Sequence, residues 1–550
     1  MLHCIKISIP PGRQHLRLLA RRGLPITGVG SGYNRSAVQH FASFRIRRRT
    51  WGNFDVLTRT LLLAASAATV AFTCCPAQAE TLEEAALKAY EQNPSVEIQR
   101  AVARANDELV TQAESAYGPQ LSLTASHTYT ATGTHIDALA NTIDQSGFAT
   151  SGSVRMTQSL FASGRLASAV DAAEASSLAA RENVRDASQQ LLLDVVSAYL
   201  SVRRDLQLYD VASETYQLLL QQRNLTQSRL DLRDATAPDV DQTSNRVEVA
   251  AGRLIQARSD LEVSAAAYRE LVGNFPEDLA PPVPLPPLPT LDELYVSADT
   301  TNPRLLAQRY IEASSRAQLA GTRAAFGPQV TADVNAGRFN SSPYDNESYS
   351  EQVAAAVRVE IPLYTGGRLQ SRRREAEQRN IAAQFSVEQT RRDVRQSLAS
   401  DWNRMRSAEL ALPRFNAAVA AAQRAVDGVK RQETAGIRTL RDVLEVTDDL
   451  FIARSNAVQT EADLYFRKAS VLRAAGLLTI DLFAARGEYD PDSYDPALAH
   501  IAGLPLRPLV EPLDNILLND WAEPAGVMQE NDGQYEDGQN LPSPLEPLPR

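Results

Sequence analysis

Hydrophobic and polar residues alternate with a period of two in four segments of the chain, and this pattern predicts four β-strands. In the first segment, Leu121 and Leu123 alternate with Ser122 and Thr124. A strand of this kind has one apolar face and one polar face. The four predicted strands cover about residues 120–131, 150–161, 329–339 and 351–364.

Long stretches with helical periodicity follow each pair of strands. Residues 163–230 contain no proline, and small and apolar side chains recur there at intervals of three and four, which is typical of a coiled-coil seam. A single helix of this length would span roughly 100 Å at about 1.5 Å per residue. Residues 366–433 repeat this length, and return helices are predicted at about 239–272 and 440–475.

The chain contains two copies of one unit. Residues 81–119 and 290–328 align at an offset of 209, and eleven of 39 positions are identical. Beyond the predicted strands the offset falls to 203, where residues 164–166 and 367–369 both read Gly-Arg-Leu. Because this six-residue change falls between the two strands of a hairpin, we expect a longer hairpin loop in the first copy.

Composition divides the chain into five segments. Seven prolines occur among fourteen residues between the two copies, which favours an extended, semi-rigid connector. The last segment is acidic, rich in proline and without a clear period, so we expect it to be loosely ordered. The predicted segments are 1–79 (N-terminal extension plus signal peptide), 80–275 (first repeat), 276–289 (connector), 290–486 (second repeat) and 487–550 (C-terminal tail).

The N-terminal segment predicts export from the cytoplasm. A basic stretch precedes the apolar run 57–72, and an A-x-A sequence ending at Ala79 follows it, which is typical of a signal peptide cleaved after about Ala79. An uncleaved anchor is the alternative, although a membrane-spanning helix needs roughly 20 apolar residues. A lipoprotein cleaved before Cys74 is disfavoured because Phe72 is bulky where a small residue is required. Residues 1–55 are longer than a signal peptide needs, so we expect translation to start further along the chain.

Composition also limits the kinds of function. All three cysteines precede Ala79, which excludes a disulfide scaffold or a cysteine metal site in the mature chain. The whole chain carries −10 and residues 1–79 carry +10, which leaves −20 for the remainder and argues against nucleic-acid binding. The histidines after residue 79 lack ligand spacing, and no nucleophile or nucleotide-binding motif is present. The sequence therefore predicts no enzyme, no cofactor and no metal site.

Taken together, these features resemble the TolC family of outer-membrane efflux and type I secretion channels. The resemblance covers about residues 80–485, including the duplicated unit, and the signal peptide that precedes them supports it. It also rests on motifs at the strand starts, the hairpin ends and the second turn: Tyr117-Gly118-Pro119, Phe326-Gly327-Pro328, Leu160-Phe161-x-x-Gly164-Arg165, Pro362-Leu363-Tyr364-x-x-Gly367-Arg368 and Gly436-x-x-Thr439-x-x-Asp442-Val443-Leu444.

The resemblance implies a mainly α fold with a membrane β-barrel part. Three identical subunits with four strands each would form a 12-stranded barrel, continued by an α-helical periplasmic tunnel. It further implies a passive exit channel in the outer membrane, which opens by an iris-like motion of its periplasmic helix tips. The implied partners are outer-membrane lipid, a periplasmic adaptor and an inner-membrane RND, ABC or MFS transporter.

The resemblance also places an acidic ring at the periplasmic entrance. Asp442 and Glu445 match the family's acidic positions and lie three residues apart on one helix face. Asp442 has a second interpretation, because Thr439-x-x-Asp442 is also a capping-box pattern. Glu445 lies beyond the first turn, so capping does not explain it. Thr236-x-x-Asp239 in the first copy permits the same two interpretations.

The turns before these motifs form the predicted helix tips, with Pro238 at the first and Gly436 at the second. In the family, opening breaks a network at this point, and Arg438 and Asp239 occupy matching positions and could pair. The tyrosine that often stands three residues before the turn glycine is Glu433 here. Either a different set of contacts holds the closed state, or a second salt bridge from Glu433 to Arg438 replaces the contact made by the tyrosine hydroxyl. We expect Arg438 to hold the closed state.

Two other interpretations remain open at this stage. The four strands could belong to a soluble sandwich, although four strands alone bury little apolar surface within one chain. A periplasmic coiled-coil adaptor or scaffold protein would explain the signal peptide and the helices. That second interpretation leaves the four amphipathic strands unexplained.

Overall fold

The computed structural model describes residues 79–136, 141–484, 489–494, 504 and 506–515. The predicted signal peptide and much of the tail lie outside these residues, so cleavage after about Ala79 stays a prediction. No helix in the described ranges is both long and apolar enough to cross a bilayer.

The described part of the first repeat contains helices and strands in the predicted order. Its first helix starts at a capping box formed by Thr81 and Glu84, and its second starts with Asn93 as N-cap and Pro94 in the first turn. The elements are α1 (Leu82–Gln92), α2 (Pro94–Ser115), β1 (Gln120–Ile136), β2 (Asn141–Phe161), α3 (Arg165–Asp231) and α4 (Ala237–Val272).

The second repeat has the same sequence of elements and the same starting signals. Thr290 and Glu293 form the first capping box, and Asn302 and Pro303 start the next helix. The elements are α5 (Leu291–Thr301), α6 (Pro303–Ala324), β3 (Gln329–Asn340), β4 (Tyr349–Glu360), α7 (Arg368–Thr434) and α8 (Leu440–Ala474), followed by short 3-10 turns at Ile480–Leu482 and Pro491–Ser493 and by α9 (Arg507–Asn515).

Backbone geometry repeats between the two halves at the predicted offset of 203. α3 and α7 each contain 67 residues. Left-handed backbone recurs at matching positions, so the two predicted copies share the geometry of individual turns. The matching pairs are Ser163/Gly366, Gly164/Gly367, Arg233/Gly436 and Gly273/Gly476.

The hairpin of the first repeat is longer in its strands, not in its loop. β1 and β2 contain 17 and 21 residues, whereas β3 and β4 contain 12 each. Residues 137–140 separate β1 from β2, and residues 341–348 separate β3 from β4. The expectation of a longer first loop is therefore wrong. The extra residues extend the backbone ladder, as in the pair Thr132↔Gln145, where the sequence shows no clear apolar alternation.

The strands form one antiparallel sheet in the order β1-β2-β3-β4. Its register aligns the apolar positions of every strand on one face, as in the row Leu123, Val154, Ala336 and Val353. Leu123 is 75% exposed and Val353 is 79% exposed, so one subunit leaves this face uncovered. The described residues contain no second sheet, which contradicts the soluble sandwich. β1 and β4 each pair on one side only.

The main apolar core lies where α1, α3, α4 and α8 meet. Tyr199 and Tyr268 are fully buried there, with ring centroids 6.4 Å apart. The Tyr199 hydroxyl lies 2.9 Å from the carbonyl oxygen of Glu80 and 2.6 Å from that of Ala280. The proline-rich connector, 276–289, has no helix or strand and is held against this core.

Part of the C-terminal tail is folded onto the first repeat. Within α9, Val510 is 2% exposed and the carboxylate-bearing Asp514 is fully buried. The expectation of loose order is therefore wrong for this helix, because it buries an apolar side chain and a charged one. The tail beyond Asn515 lies outside the described residues.

Candidate gate at the helix tips

The long helical hairpins α3–α4 and α7–α8 end in turns of the same backbone design. Each turn requires one residue in the left-handed region, which is Arg233 in the first (φ 65°) and Gly436 in the second (φ 75°). In the first turn the Asp234 N–H donates to the Arg229 carbonyl oxygen at 2.7 Å, and the second turn has the equivalent bond at 2.9 Å. These bonds satisfy carbonyl groups that the helix end would otherwise leave without a partner.

Both return helices start with a Thr–Asp cap. The Thr236 N–H donates to Asp239 Oδ2 at 3.0 Å, and the Thr439 N–H donates to Asp442 Oδ2 at 3.0 Å. Hydrogen bonds from these threonines lower the pKa of both carboxyls. Pro238 lies in the first turn of α4, where a missing N–H costs little. Capping by Asp442 is thus observed, whereas the acidic ring needs neighbouring subunits and stays a prediction.

The predicted partners of Arg438 are not found in one subunit. Arg438 Nη1 lies 3.9 Å from Asp442 Oδ2, and 55% of the arginine side chain is exposed. Among the described residues of the chain, no ion pair joins Arg438 to Asp239, whose carboxylate accepts from Thr236 instead. Glu445 is exposed, about one helical turn beyond Asp442.

A different ion pair joins the two repeats at their tips. Arg229 Nη1 lies 2.5 Å from Glu433 Oε1, and Arg229 Nε lies 3.0 Å from Asp234 Oδ2. Hydrogen bonding to Asp234, and then to Glu433, raises the pKa of the guanidinium. Only 13% of the Glu433 side chain is exposed, against 44% for Arg229. Among the described residues Glu433 pairs with Arg229 and not with Arg438, so the bridge from Glu433 to Arg438 stays a prediction.

A second contact region joins the hairpins further from the tips. Arg253 Nη1 lies 2.6 Å from Asp448 Oδ1, and Arg454 Nη1 lies 2.6 Å from Glu214 Oε2. An apolar cluster lies in the same region and depends on close packing, so it does not separate as easily as an exposed ion pair. Its buried members are Leu219, Val247, Ala250 and Leu444.

Sequence reasoning missed Arg229, although one signal was available. Arg229 stands seven residues before Thr236, and Glu433 stands six residues before Thr439. Because α3 and α7 are equal in length and end at equivalent turns, these two side chains lie at nearly the same distance along their helices from the tip. Counting back from both turns would have identified the pair.

The tip region offers ion pairs and hydrogen bonds that can break and form again as the hairpins separate. Among the residues that the structure describes, no group of three or more His, Cys, Asp or Glu side chains is placed to hold a metal ion. The arrangement is suited to a reversible mechanical contact between two helical hairpins.

This combination of a four-stranded sheet with two long helical hairpins defines a class of outer-membrane channel proteins. Residues 86–274 and 294–477 match the family model described as outer membrane efflux protein. The chain therefore belongs to the outer membrane efflux protein family.

Individual relatives agree with this assignment. The chain is 29% identical over 426 residues to the outer membrane efflux protein BepC of Brucella suis biovar 1 (strain 1330), across 77% of this chain and 91% of BepC. It is 23% identical to the outer membrane protein TolC of Escherichia coli (strain K12), across 73% and 83% of the two chains. Among solved structures, the outer membrane protein VceC from Vibrio cholerae aligns with a TM-score of 0.62 at 19% identity, across 72% and 96%. The TolC-family resemblance and its mainly α fold class are confirmed.

Proposed function

We propose that the chain is a passive exit channel of the outer membrane, which assembles as a homotrimer. It receives substrates from an inner-membrane pump and leads them across the periplasm and the outer membrane. The observation that carries this proposal is the uncovered apolar face of the sheet, joined directly to two 67-residue helices. Hydrocarbon is the medium that such a face fits, and a helix of that length reaches roughly 100 Å into the periplasm.

The open edges of one subunit support the trimer. Helices α2, α3, α6 and α7 pack side by side in the same order as strands β1 to β4, so α2 and α7 are edge helices. Both edge helices carry exposed apolar side chains, Ile98 and Val102 on α2 and Ile381 and Phe385 on α7. Pairing β1 of one subunit with β4 of the next in a ring of three gives twelve strands and removes every sheet edge.

The gate in this proposal is the contact between the two hairpins of each subunit. An iris-like opening moves the α7–α8 tip away from the α3–α4 tip, and the Arg229–Glu433 ion pair directly opposes that motion. The apolar cluster further from the tips limits how far the separation extends along the helices. This assignment moves the lock from Arg438 to Arg229.

Threefold assembly would also give the entrance its charge. Asp442 and Glu445 from three subunits place six carboxylates around one opening, which attracts cations and repels anions. Asp442 serves as a helix cap in the same position, so the two roles that the sequence left open are compatible. Glu445 has no partner among the described residues and is the less constrained member of the ring.

The partners follow from the absence of an energy source in the proposed mechanism. A passive duct needs an inner-membrane RND, ABC or MFS transporter to drive export, and a periplasmic adaptor to join the two. The family assignment supports this proposal, since its members are described as outer membrane efflux proteins. The outer membrane supplies the lipid that covers the apolar face of the sheet.

Cell fractionation and bilayer recording test the proposal together. We expect the protein in the detergent-extracted outer-membrane fraction, and we expect the purified protein to produce discrete current steps in planar bilayers. Recovery as a soluble periplasmic monomer without conductance would contradict the proposal and favour a coiled-coil adaptor or scaffold.

A further inference from the structure

Two described parts of the C-terminal segment contact α2 at successive points towards the sheet. We name its described parts, residues 489–494 and 506–515, the strap. The Tyr489 ring lies 4.9 Å from the Arg100 guanidinium, which also lies 5.0 Å from the Tyr90 ring and forms an ion pair with Glu97. The Tyr489 N–H also donates to the Tyr90 hydroxyl at 2.9 Å. This contact anchors the lower end of the strap.

Two further polar contacts follow the same helix upwards. The Tyr494 hydroxyl donates to Glu108 Oε1 at 2.6 Å, and Arg507 Nη1 lies 2.8 Å from Glu114 Oε1. Glu108 and Glu114 follow Arg100 along α2, so the strap advances with the helix towards the start of β1. The contacts therefore occur in the same order along the strap and along α2, which a tail bound without specificity would not show.

The strap ends on the start of the long helix α3. Its helix α9 places Asp514, which is fully buried, against the junction between β2 and α3. Asp514 Oδ1 accepts from the N–H groups of Ala162 at 2.7 Å and Gly164 at 3.0 Å. Asp514 Oδ2 accepts from those of Leu166 at 3.1 Å and Ala167 at 3.3 Å.

These donors have no local partner. A helix leaves its first N–H groups unsatisfied, and the N-cap side chain usually accepts from one of them. The N-cap of α3 is Gly164, which has no side chain to do so. The carboxylate charge also interacts favourably with the positive end of the helix dipole. Asp514, from a distant part of the same chain, therefore accepts the hydrogen bonds that a local N-cap side chain would otherwise accept.

Packing supports the same contact. Val510 is 2% exposed and lies in a buried cluster with Tyr117, Leu166 and Val170. This cluster covers the point where the chain passes from sheet to helix. The neighbouring Ser163 is fully buried, and its hydroxyl donates to the Pro328 carbonyl oxygen at 2.7 Å, which ties this junction to the start of β3.

Among the described residues, nothing covers the matching junction of the second repeat in this way. α7 also starts after a left-handed glycine, Gly367, without a side-chain cap on the N-cap residue. Within the described residues, the Leu369 N–H has the Thr365 hydroxyl oxygen at 3.4 Å as its acceptor, and no carboxylate reaches this helix start. The residues around it, Gly366 and Arg368, are exposed.

We propose that the strap fastens the sheet-to-helix junction of the first repeat, and that the Asp514 carboxylate caps the N-terminus of α3 in place of a side chain on Gly164. The C-terminal segment thereby makes the first repeat the fixed half of the subunit at its membrane end. The second repeat keeps an open junction and is free to adjust when its tip moves. The role of Asp514 rests on contacts within one chain, whereas the freedom of the second junction to adjust rests on the proposed motion of the helix tips.

Amide hydrogen exchange of the full chain in detergent, read by mass spectrometry, tests the proposal. In Asp514→Ala, the amides of residues 164–167 should exchange on the order of tenfold faster, as expected for the loss of an N-cap. Asp514→Asn keeps one acceptor oxygen and should fall between the wild type and Asp514→Ala. Leu509→Ala, at a residue of α9 that is 65% exposed, is the matched control and should leave these amides unchanged.

The amides of residues 368–371 at the second junction serve as an internal reference. A chain that ends at Ala484 should reproduce the Asp514→Ala exchange at residues 164–167 and leave this reference unchanged. The proposal is overturned if Asp514→Ala exchanges like the wild type, if Leu509→Ala has the same effect, or if both junctions accelerate equally.

Discussion

The two repeats share their elements and their turns, yet they are buried to very different extents. α3 buries 24 of its 67 residues within the subunit, whereas α7 buries seven of 67. In the row of helices that follows the order of the strands, α3 lies between α2 and α6. Helix α7 is at the end of this row, with α6 on one side and, among the described residues, no further helix of the row on the other. One duplicated sequence thus produces an interior half and an edge half.

This difference shows that the subunit is not a closed structural unit. The second repeat leaves β4 and α7 at one edge of the subunit. The first repeat leaves β1 and α2 at the opposite edge, where the strap contacts α2 but Ile98 and Val102 stay exposed. Complementary edges of this kind are what a closed ring of identical copies requires. The strap adds a second asymmetry, because it covers the junction of the first repeat and leaves that of the second repeat open.

The largest expected effect comes from a charge on the edge of α7. Phe385 on the edge helix α7 is 61% exposed in one subunit, so in the proposed trimer Phe385→Glu would bury a carboxylate between subunits. An unpaired buried charge costs about 3–5 kcal/mol at each interface, which is enough to release monomers. Size-exclusion chromatography with light scattering measures the change. Val296→Glu on α5, at a residue 70% exposed, is the control and should keep the trimer. A trimeric Phe385→Glu protein would contradict the edge assignment.

The tip ion pair gives the next largest effect. Arg229→Ala leaves the largely buried Glu433 without its partner, at about 1 kcal/mol per subunit, which shifts the ratio of open to closed tips by about fivefold. Single-channel recordings should show a higher open probability. The double variant with Glu433→Ala should add little, because both changes remove the same contact.

The control for this prediction is Arg258→Ala. Arg258 pairs with Glu262 on the exposed surface of α4, with no link between the repeats. An equal rise in open probability from Arg258→Ala would show that the Arg229 effect is not specific to the contact between the hairpins.

The two tip turns differ in a smaller way. Gly436→Ala places a Cβ in the left-handed region and should destabilise the second turn by about 1 kcal/mol, although no atom lies within 4 Å of that Cβ. Arg233→Gly should relax the first turn by a similar or smaller amount. Amide exchange at each tip measures both changes. An unaffected second tip in Gly436→Ala would contradict the equivalence of the turns.

The smallest expected effect is the pH dependence of the Asp442 cap. Its pKa is lowered in the folded protein, so its contribution is complete above the ordinary carboxyl value of about 3.8 and is lost as pH falls through the lower folded value. The wild type should therefore unfold at a higher temperature than Asp442→Ala near neutral pH, and this difference should disappear in acid. A difference that is constant down to about pH 2 would contradict this cap.

Local sequence patterns predicted most of the fold because each depends on nearby residues. The alternation at Leu121 and Leu123 fixed the apolar face of β1, and the Gly and Pro matches fixed the register of the two repeats. The length of the first hairpin was harder to predict, since backbone pairing continues through residues such as Thr132 where no side-chain pattern marks it.

The contacts that the sequence did not reveal are distant in the chain. Arg229 and Glu433 are 204 residues apart, and Asp514 lies about 350 residues after the amides that it caps. Helix α9 also contains Pro512, and its stability depends on what it touches more than on its own propensity. Resemblance to a family directed the prediction to Arg438, which occupies the expected position but contacts a different carboxylate.

Native mass spectrometry of the protein released from outer membranes in mild detergent tests the central claim most directly. The complementary edges predict a complex of three identical chains, and Phe385→Glu should convert it to single chains under the same conditions. A wild-type protein that is monomeric, or that forms a ring of any number other than three, would contradict this account of the subunit.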